Sequence, residues 1–443
     1  MGEAGTVFIL AAGESTRFLS AGPKVLQPVC GRPLLGYVLE QARSLQPRRI
    51  VCVVGHQAER VCETFADWQD VEFVTQEERL GTGHALRVAH DACQASHDGI
   101  QGPAVVLYGD MPLIRSESLL ALLARLSEAR ASVLTARVSE PRGFGRVLRE
   151  AGGEFMGIVE EREATAEQLD IDEVNLGVYA FRSEDLAEFL PKLNNQNQKG
   201  EYYLTDVLGM LCRRGQRVSA EILEDEREAI GINTLEHLSD ARRAIQERIL
   251  LGHMAGGVFI EDPASTYIDH GVEIGAGTKI LPCTVIRKGV KIGRNCEVGP
   301  FTHLRAGTVL DDGVEVGNFT EAKNARVGSG TKAKHLTYLG DVEIGPGTNI
   351  GAGTIVANYD GVNKHKTTIG KDAFVGSGSI LIAPNSVGDR ALTGAGAVVT
   401  RNSNVPAGEA WVGVPARSLG KRPPTTEKAK SSGSAKKKPG GIT

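Results

Sequence analysis

Two spacings of apolar residues divide this chain. In the first, short apolar runs at residues 7–10, 50–54, 71–74 and 104–108 read as buried strands, and the longer amphipathic stretches 33–44, 58–65, 83–93 and 116–130 read as helices, the last with a Ser cap at Ser116. Strands apolar on both faces with helices between them predict a doubly wound, mostly parallel α/β sheet. In such a sheet a ligand sits at the carboxyl ends of the strands, where strand order reverses. The second spacing starts at Ile268. Aliphatics recur every sixth residue through Ile274, Ile280, Ile286, Ile292, Val298, Leu304, Leu310 and Val316. They resume in a second phase at Ile344, Ile350 and Val356, and in a third at Ile369, Val375, Leu381 and Val387. A period of six fits neither helix nor hairpin and predicts a parallel β-helix of stacked coils. A polar excursion at 357–368 separates two hexads and is expected to project as a loop.

Glycine supports this division. Of 54 glycines in 443 residues, 22 lie in 1–250 and 26 in the much shorter stretch 271–420, where tight corners need small residues. The expected domains are 1–233, a helical connector at 234–254, a β-helix at 255–420 and a disordered basic tail at 421–443. From Lys421 onward there are seven Lys or Arg and one Glu, against a formal charge of −4 for the whole chain. That balance gives the body no basic field for nucleic acid. Seven cysteines without a CxxC pair fit neither a zinc site nor a secreted disulfide framework and point to the cytoplasm. Without an apolar run near membrane-spanning length, no membrane insertion is expected.

The chemistry is expected in loops. Leu10-Ala11-Ala12-Gly13 leads from the first strand towards a helix, with Thr16-Arg17 and Pro23-Lys24 beyond, and a loop of this kind offers free N–H groups and cations to phosphate. Tyr108-Gly109-Asp110 closes the fourth strand, where a carboxylate suits Mg²⁺. Gly81-Thr82-Gly83 adds a third loop. Neither GxxxxGK[ST] nor GxGxxG occurs here, which excludes the common ATPases and dinucleotide oxidoreductases. On the β-helix, His335 stands near Glu321, two lysines and Tyr338, a setting for a general base rather than an ordinary surface histidine. Glu321 is expected to orient its imidazole, and a backbone amide near Ala352 to face a developing oxyanion.

The motifs Leu10-Ala11-Ala12-Gly13, Thr16-Arg17 and Pro23-Lys24-Val25-Leu26 resemble those of the sugar-nucleotide pyrophosphorylases. With Asn318-Phe319-Thr320-Glu321, His335-Leu336-Thr337-Tyr338-Leu339-Gly340-Asp341 and Asn358-Tyr359-Asp360-Gly361, the chain is similar to the bacterial bifunctional N-acetylglucosamine-1-phosphate uridylyltransferase/glucosamine-1-phosphate N-acetyltransferases over about residues 6–418. The resemblance implies a Rossmann-like nucleotidyltransferase domain followed by a left-handed parallel β-helix, acting as a homotrimer. It also implies two reactions that supply UDP-N-acetylglucosamine for the cell wall: acetyl transfer from acetyl-CoA, then uridylyl transfer from UTP with Mg²⁺. Carried over residue by residue, Leu10, Ala11, Ala12, Gly13, Lys24, Gln76, Gly81, Thr82, Tyr108, Gly109, Asp110, Gly145, Glu160, Asn175 and Asn233 bind the UDP-sugar, and Asp110 and Asn233 hold the metal. Arg305, Lys323, Tyr338 and Asn349 bind sugar phosphate in the second site. Ala352, Asn358, Tyr359, Ser377 and Ala395 bind acetyl-CoA, and His335 is the base.

Four positions depart from the family pattern. Gly13-Glu14-Ser15-Thr16-Arg17-Phe18 stands for Gly-x-Gly-Thr-Arg-Met, Asn175-Leu176-Gly177 for Asn-Thr-Gly, Asn324 for a lysine, and Gly413 for an arginine expected on CoA phosphate. Two other readings compete with the bifunctional one. A monofunctional pyrophosphorylase with a purely oligomerising β-helix would not need His335 or the 357–368 loop, and a scaffolding protein without chemistry would not keep Lys24, Asp110 and Asn233.

Overall fold

The structure, a computed structural model, describes residues 4–13, 22–96 and 99–421. The expected features at Glu14, Ser15, Thr16, Arg17 and Phe18, and in the tail beyond Lys421, lie outside these. Two compact units divide the chain: Met1–Leu251 with Ile268–His270, and Gly252–Tyr267 with Gly271–Thr443. No helix among the described residues is long and apolar enough to cross a membrane.

The first unit is built on a mixed sheet. Its strands are β1 (Thr6–Leu10), β2 (Arg49–Val54), β3 (Val71–Thr75), β4 (Ala104–Tyr108), β5 (Ala131–Arg137), β6 (Arg146–Arg149), β7 (Phe155–Val159), β8 (Glu173–Phe181) and β9 (Val218–Ile222). Spatial order is β9-β5-β8-β4-β1-β2-β3, with the β6–β7 hairpin added on β8. Only β8 among the seven in line runs antiparallel to its neighbours. Alternate residues of β1 enter different cores. Val7 and Ile9 pack with Leu35, Val38 and Leu39 of α1 (Leu34–Ser44), and Phe8 packs with Leu86 and Ala89 of the helix at Thr82–Gln94. Burial on both faces explains why these strands read as unbroken apolar runs. The chain moves outward from β1 through β2 and β3, then returns to β4 on the other side of β1, so strand order reverses between β1 and β4. Both expected phosphate and metal loops leave the sheet at that point.

The Ser cap is corrected. The helix at Ser116–Ala124 begins one residue after Arg115, and Ser116 does not cap it. The buried Glu228 carboxylate takes that role, accepting from the Arg115 N–H at 2.8 Å and the Ser118 hydroxyl at 2.8 Å. A carboxylate at a helix N-terminus satisfies free N–H groups from a position that local sequence does not reveal. The helix also stops short of Arg130: it ends at Ala124 and gives way to a single 3-10 turn at Arg125–Ser127, and the Asp185 carboxylate pairs with the Arg130 guanidinium at 2.7 and 3.0 Å just ahead of β5.

The second unit is a β-helix of parallel two- to seven-residue strands. Ile280 pairs with Val298 and Val298 with Val316, so a regular coil takes 18 residues as three hexads. The aliphatic ladder is buried: Ile280, Ile286, Val298 and Leu304 expose none of their surface. The phase changes have a local cause. Val316 pairs with Ala333 and Ala322 with Leu339, 17 residues on, because the sides Ala322 to Val327 and Leu339 to Ile344 each take five residues instead of six. Ile344 pairs with Ile369 because the projecting excursion adds seven residues to one side. After it, Val375 pairs with Thr393 and the 18-residue coil returns.

A row of buried threonines fills the coil between aliphatics. Thr278, Thr302, Thr331 and Thr348 donate their hydroxyls to the carbonyls of Gly293, Gly317, Gly345 and Gly370 at 2.7 to 2.9 Å. Coils also approach too closely for side chains in places. A Cβ on Gly317 would lie 2.1 Å from the Lys334 carbonyl oxygen. The last parallel strand, Glu409–Val412, is covered by Arg417–Lys421, which turns back and pairs with it antiparallel.

Thr302→Val removes one buried hydroxyl bond at nearly constant shape and is expected to cost about 1–2 kcal/mol. Gly317→Ala forces two coils apart and is expected to cost more, above about 3 kcal/mol. Urea unfolding followed on the β-helix transition checks this order, and a Gly317→Ala midpoint equal to that of the parent would refute the close approach.

Candidate functional site

At the switch point, β1 and β4 end side by side. Ala11 donates its N–H to Val53 at 2.8 Å and Gly109 donates to the Leu10 carbonyl at 2.9 Å, which fixes both loops to the strand ends. Between them opens a cavity of about 390 Å³. Its walls hold Leu10, Ala11, Ala12, Gly13, Lys24, Gln76, Gly81, Thr82, Tyr108 and Asp110, all expected from sequence, together with Val25, Arg79, Ala85 and Glu201, which were not. Arg79 and Glu201 belong to polar stretches that carry no periodic signal.

Lys24 is the charged centre of this cavity. Its side chain is only 9% exposed, and its ammonium donates to Asp110 Oδ2 at 2.5 Å and to Asn233 Oδ1 at 3.4 Å. The Ile232 N–H donates to the Asp110 carbonyl at 3.0 Å and holds the 231–233 segment against β4. Asp110 and Asn233, 86 and 209 positions beyond Lys24 in sequence, thus place two oxygen atoms on one cation. Among the described residues no group of three or more His, Cys, Asp or Glu could hold a metal ion. The oxygen atoms gathered at Lys24 are one carboxylate, of Asp110, and one amide carbonyl, of Asn233. Mg²⁺ is commonly held by one or two carboxylates with the remaining positions left to phosphates and water.

Beside the cavity lies a partly buried polar cluster. Asn175 donates its side-chain N–H to the Tyr179 hydroxyl at 2.8 Å, accepts from the Gly177 N–H at 3.0 Å, and donates its backbone N–H to the Gly145 carbonyl at 2.9 Å. Glu160 accepts from the Thr205 hydroxyl at 3.2 Å. Burial raises its carboxyl above the ordinary value although that hydrogen bond opposes the shift. Burial also raises the Tyr108 phenol, with the Glu160 charge adding to it, so Tyr108 acts as a neutral hydroxyl. Gly145, Glu160 and Asn175 flank the cavity and do not stand among its lining residues.

On the β-helix the expected residues fall into three groups. Arg305 pairs with Glu321 at 2.7 Å. Lys323 lies near Arg305 and Lys364, and its ammonium is pushed below its ordinary value, first by Lys364 and against the opposing charge of Asp341, so positive charge gathers there. Tyr338 lies beside Glu321 in strand register, and Asn349 starts the strand paired with that of Lys332. Ala352, Ser377 and Ala395 occupy the same corner of successive coils, linked by Gly378 N–H to the Ala352 carbonyl at 2.7 Å and Gly396 N–H to the Ser377 carbonyl at 2.8 Å. In the excursion, Asn358 donates to Asp341 Oδ2, and Asn324 donates to Asp341 Oδ1 at 2.6 Å. The exposed Tyr359 bonds the Gly361 carbonyl at 2.5 Å. The excursion projects as expected and is stapled by Asp360, which accepts from His365 at 2.7 Å and Arg401 at 2.9 Å.

His335 is exposed at the end of the strand Lys332–His335, opposite Asn318. Its imidazole has no hydrogen-bond partner among the described residues. The expected orienting role of Glu321 is therefore corrected. Glu321 lies in the other sheet, beside Tyr338, and its carboxylate is taken by Arg305. The Ala352 N–H has no partner among the described residues, which leaves it available to an oxyanion, whereas the next N–H, of Gly353, already bonds the His335 carbonyl at 3.2 Å.

A nucleotide-sized cavity at the switch point of the first unit, with a cationic centre, and a hexapeptide β-helix in the second define a nucleotidyltransferase fused to a β-helix domain. Residues 7–204 match the family model of the MobA-like NTP transferase domain. The chain is 44% identical over 438 residues to the "Bifunctional protein GlmU" of Thermobifida fusca (strain YX), covering 91% of this chain and 90% of that one. It is 43% identical over 441 residues to the protein of the same name from Azotobacter vinelandii (strain DJ / ATCC BAA-1303), covering 92% and 95%. To that of Acinetobacter baylyi (strain ATCC 33305 / BD413 / ADP1) it is 40% identical over 432 residues, covering 90% and 93%. The chain belongs to the bifunctional GlmU family, and it is an enzyme with both uridylyltransferase and acetyltransferase activities.

Gly177 has a φ of +75°, and a Cβ there would lie 2.2 Å from the Tyr108 ring. Gly177→Ala is expected to displace that ring from the cavity wall and lower uridylyl transfer by roughly 10²-fold without changing acetyl transfer. Parallel assays of the two rates on one preparation check this.

Proposed function

We propose that the residues assembled above carry the two reactions in the following way. Glucosamine-1-phosphate is acetylated from acetyl-CoA on the β-helix, and the product receives a uridylyl group from UTP in the first unit, releasing pyrophosphate. The observation that carries the uridylyl reading is the Lys24 ammonium between Asp110 and Asn233 at the cavity. A position that already accepts a cation on two oxygen atoms fits Mg²⁺ held by Asp110 and Asn233. When bound there, the ion neutralises triphosphate charge. Lys24 then turns to a phosphate oxygen as a mobile cation. The loop 10–13 sets the nucleotide at the strand ends, and Glu160 with Asn175 faces the sugar beside Tyr108. The sugar phosphate oxygen attacks the α-phosphorus as pyrophosphate leaves, so positioning and charge neutralisation set the rate.

In the acetyl reaction, Arg305, Lys323 and Tyr338 hold the sugar phosphate, with Lys364 beside them, and Asn349 orients the sugar. Acetyl-CoA lies along the corner of Ala352, Ser377 and Ala395, against Asn358 and Tyr359. The amine attacks the thioester carbon, the thiolate of CoA leaves, and the amine proton passes to His335. Histidine is the side chain best suited to take up and release a proton in acid–base catalysis.

The working form we propose is a homotrimer in the cytoplasm, acting on small molecules and not on nucleic acid or membranes. Phe301, Phe319 and Leu336 support it. They stack on successive coils next to His335, are 51%, 59% and 62% exposed, and hold positive φ angles that bulky side chains seldom adopt. The two phenyl rings lie parallel, 5.0 Å apart. An exposed apolar stripe in strained backbone beside the base suits a surface covered by a second copy.

Asp110→Ala is expected to remove uridylyl transfer and spare acetyl transfer. His335→Ala is expected to lower acetyl-transfer kcat by roughly 10²–10⁴ and spare uridylyl transfer. Separate assays of pyrophosphate release and CoA release test both, and a His335→Ala enzyme with raised KM but intact kcat would refute its role as base. Sedimentation is expected to give a trimer, and Phe319→Glu to shift it towards monomer with loss of acetyl transfer; a monomer that still acetylates would overturn the assembly.

A further inference from the structure

Gln76 is 95% buried on the wall of the nucleotide cavity, and its amide is held by two groups. Its Nε2 lies 2.9 Å from His84 Nδ1 and 3.4 Å from the Gly81 carbonyl oxygen. The carbonyl can only accept, so the amide edge facing it has to be the NH₂. If the amide were turned over, two carbonyl oxygens would meet with no proton between them. Once the NH₂ is fixed there, His84 Nδ1 also has to accept, and the imidazole carries its proton on Nε2. The remaining atom, Gln76 Oε1, accepts from no described residue and is not among the buried atoms left without a partner, so it keeps access to the cavity.

We propose that His84 is a positioning residue that locks the Gln76 amide with its carbonyl oxygen towards the bound base, and that this lock makes the enzyme select uracil over cytosine. The proposal rests on the reading above that the cavity binds UTP through Gln76. Uracil presents an N3–H donor to a carbonyl oxygen, while cytosine presents an N3 lone pair to it, and a buried acceptor facing a lone pair is left unpaired. With the opposite tautomer of His84, an Nδ1–H would meet the Gln76 NH₂ and the lock would be lost.

Neutral His84 is required, and its surroundings keep it so. Burial first, and then the Arg87 charge, lower its titration below 6.5, while the Glu78 backbone carbonyl and carboxylate oppose the shift. The Tyr202 ring covers it with centroids 6.2 Å apart, and Arg87 lies over that same ring. Protonation would add a hydrogen to Nδ1 facing the Gln76 NH₂ and release the amide. Selectivity is therefore present above the His84 titration and lost as pH falls through it.

The experiment measures kcat/KM of the full chain for UTP and for CTP at several pH values. For the parent, the UTP:CTP ratio is expected to be constant near pH 8 and to fall at acidic pH, as the lowered His84 titration is passed. His84→Ala is expected to lower the ratio at least about tenfold at pH 8. His84→Asn places an amide oxygen near the position of Nδ1, so it is expected to restore most of the ratio and hold it flat with pH, because an amide does not titrate. If His84→Ala fails to fold, the pH profile of His84→Asn decides alone. An unchanged ratio in His84→Ala, or an acidic fall that persists in His84→Asn, overturns the lock. Gln76→Ala separates the two levels: if it also leaves the ratio unchanged, the placement of the base against Gln76 is wrong, and if it alone collapses the ratio, only the role of His84 is wrong.

Discussion

The first unit is organised around one nearly buried positive charge. Lys24 sits where β1 and β4 end, and its ammonium is stabilised only because Asp110 and Asn233 reach it from two distant parts of the chain. Removing either oxygen would leave a desolvated cation short of partners, which costs far more than a surface ion pair contributes. The reversal of strand order opens the crevice, the Ile232–Asp110 backbone bond closes one wall, and the fixed loops at Ala11 and Gly109 form the other. The same features that bury Lys24 leave a phosphate-sized space beside it. Fold and site in this unit are therefore one arrangement.

The β-helix meets a different constraint. Each coil bonds only to its neighbours, so a change in one side must be absorbed locally. The two five-residue sides show how. Asn324 and Asp341, stacked on them, take positive φ values of 47° and 48°, a conformation that asparagine and aspartate tolerate best among residues with a side chain. Asn324, where the family pattern has lysine, bonds Asp341, which in turn holds Asn358. The departure from the family pattern thus becomes part of the support for the projecting excursion. The shortened sides and the excursion thus share one polar network, while the buried aliphatic and threonine ladders run on through the coils.

Much of this was legible in sequence because it follows from periodicity. Alternating apolar runs gave the doubly wound sheet, and the six-residue spacing gave the coils, including the excursion. Cavity residues on strand ends were legible for the same reason: Leu10, Tyr108 and Asp110 follow directly from where apolar runs stop. What escaped was set by tertiary partners. Glu228 caps a helix from 113 residues downstream, and Arg305 removes Glu321 from the side of His335. The buried threonines were missed because hydroxyl residues in a hexad look polar until their carbonyl partners in the next coil are known. His84 was read only as part of a helix, since its meaning depends on which edge of Gln76 it faces.

The final strand of the β-helix bears on how the chain behaves in a crowded solution. A stack of parallel coils ends in a row of unpaired backbone groups, which invites another molecule to continue the stack. Here Arg417–Lys421 covers one side of that row by pairing antiparallel with Glu409–Val412, and all five of its residues are exposed. The reversal breaks the parallel register, and Arg417 and Lys421 give the new outer edge a positive charge that two copies would have to bring together. On that side the solenoid is thereby closed to a further parallel coil, so a second molecule finds no template there on which to extend it as a fibre.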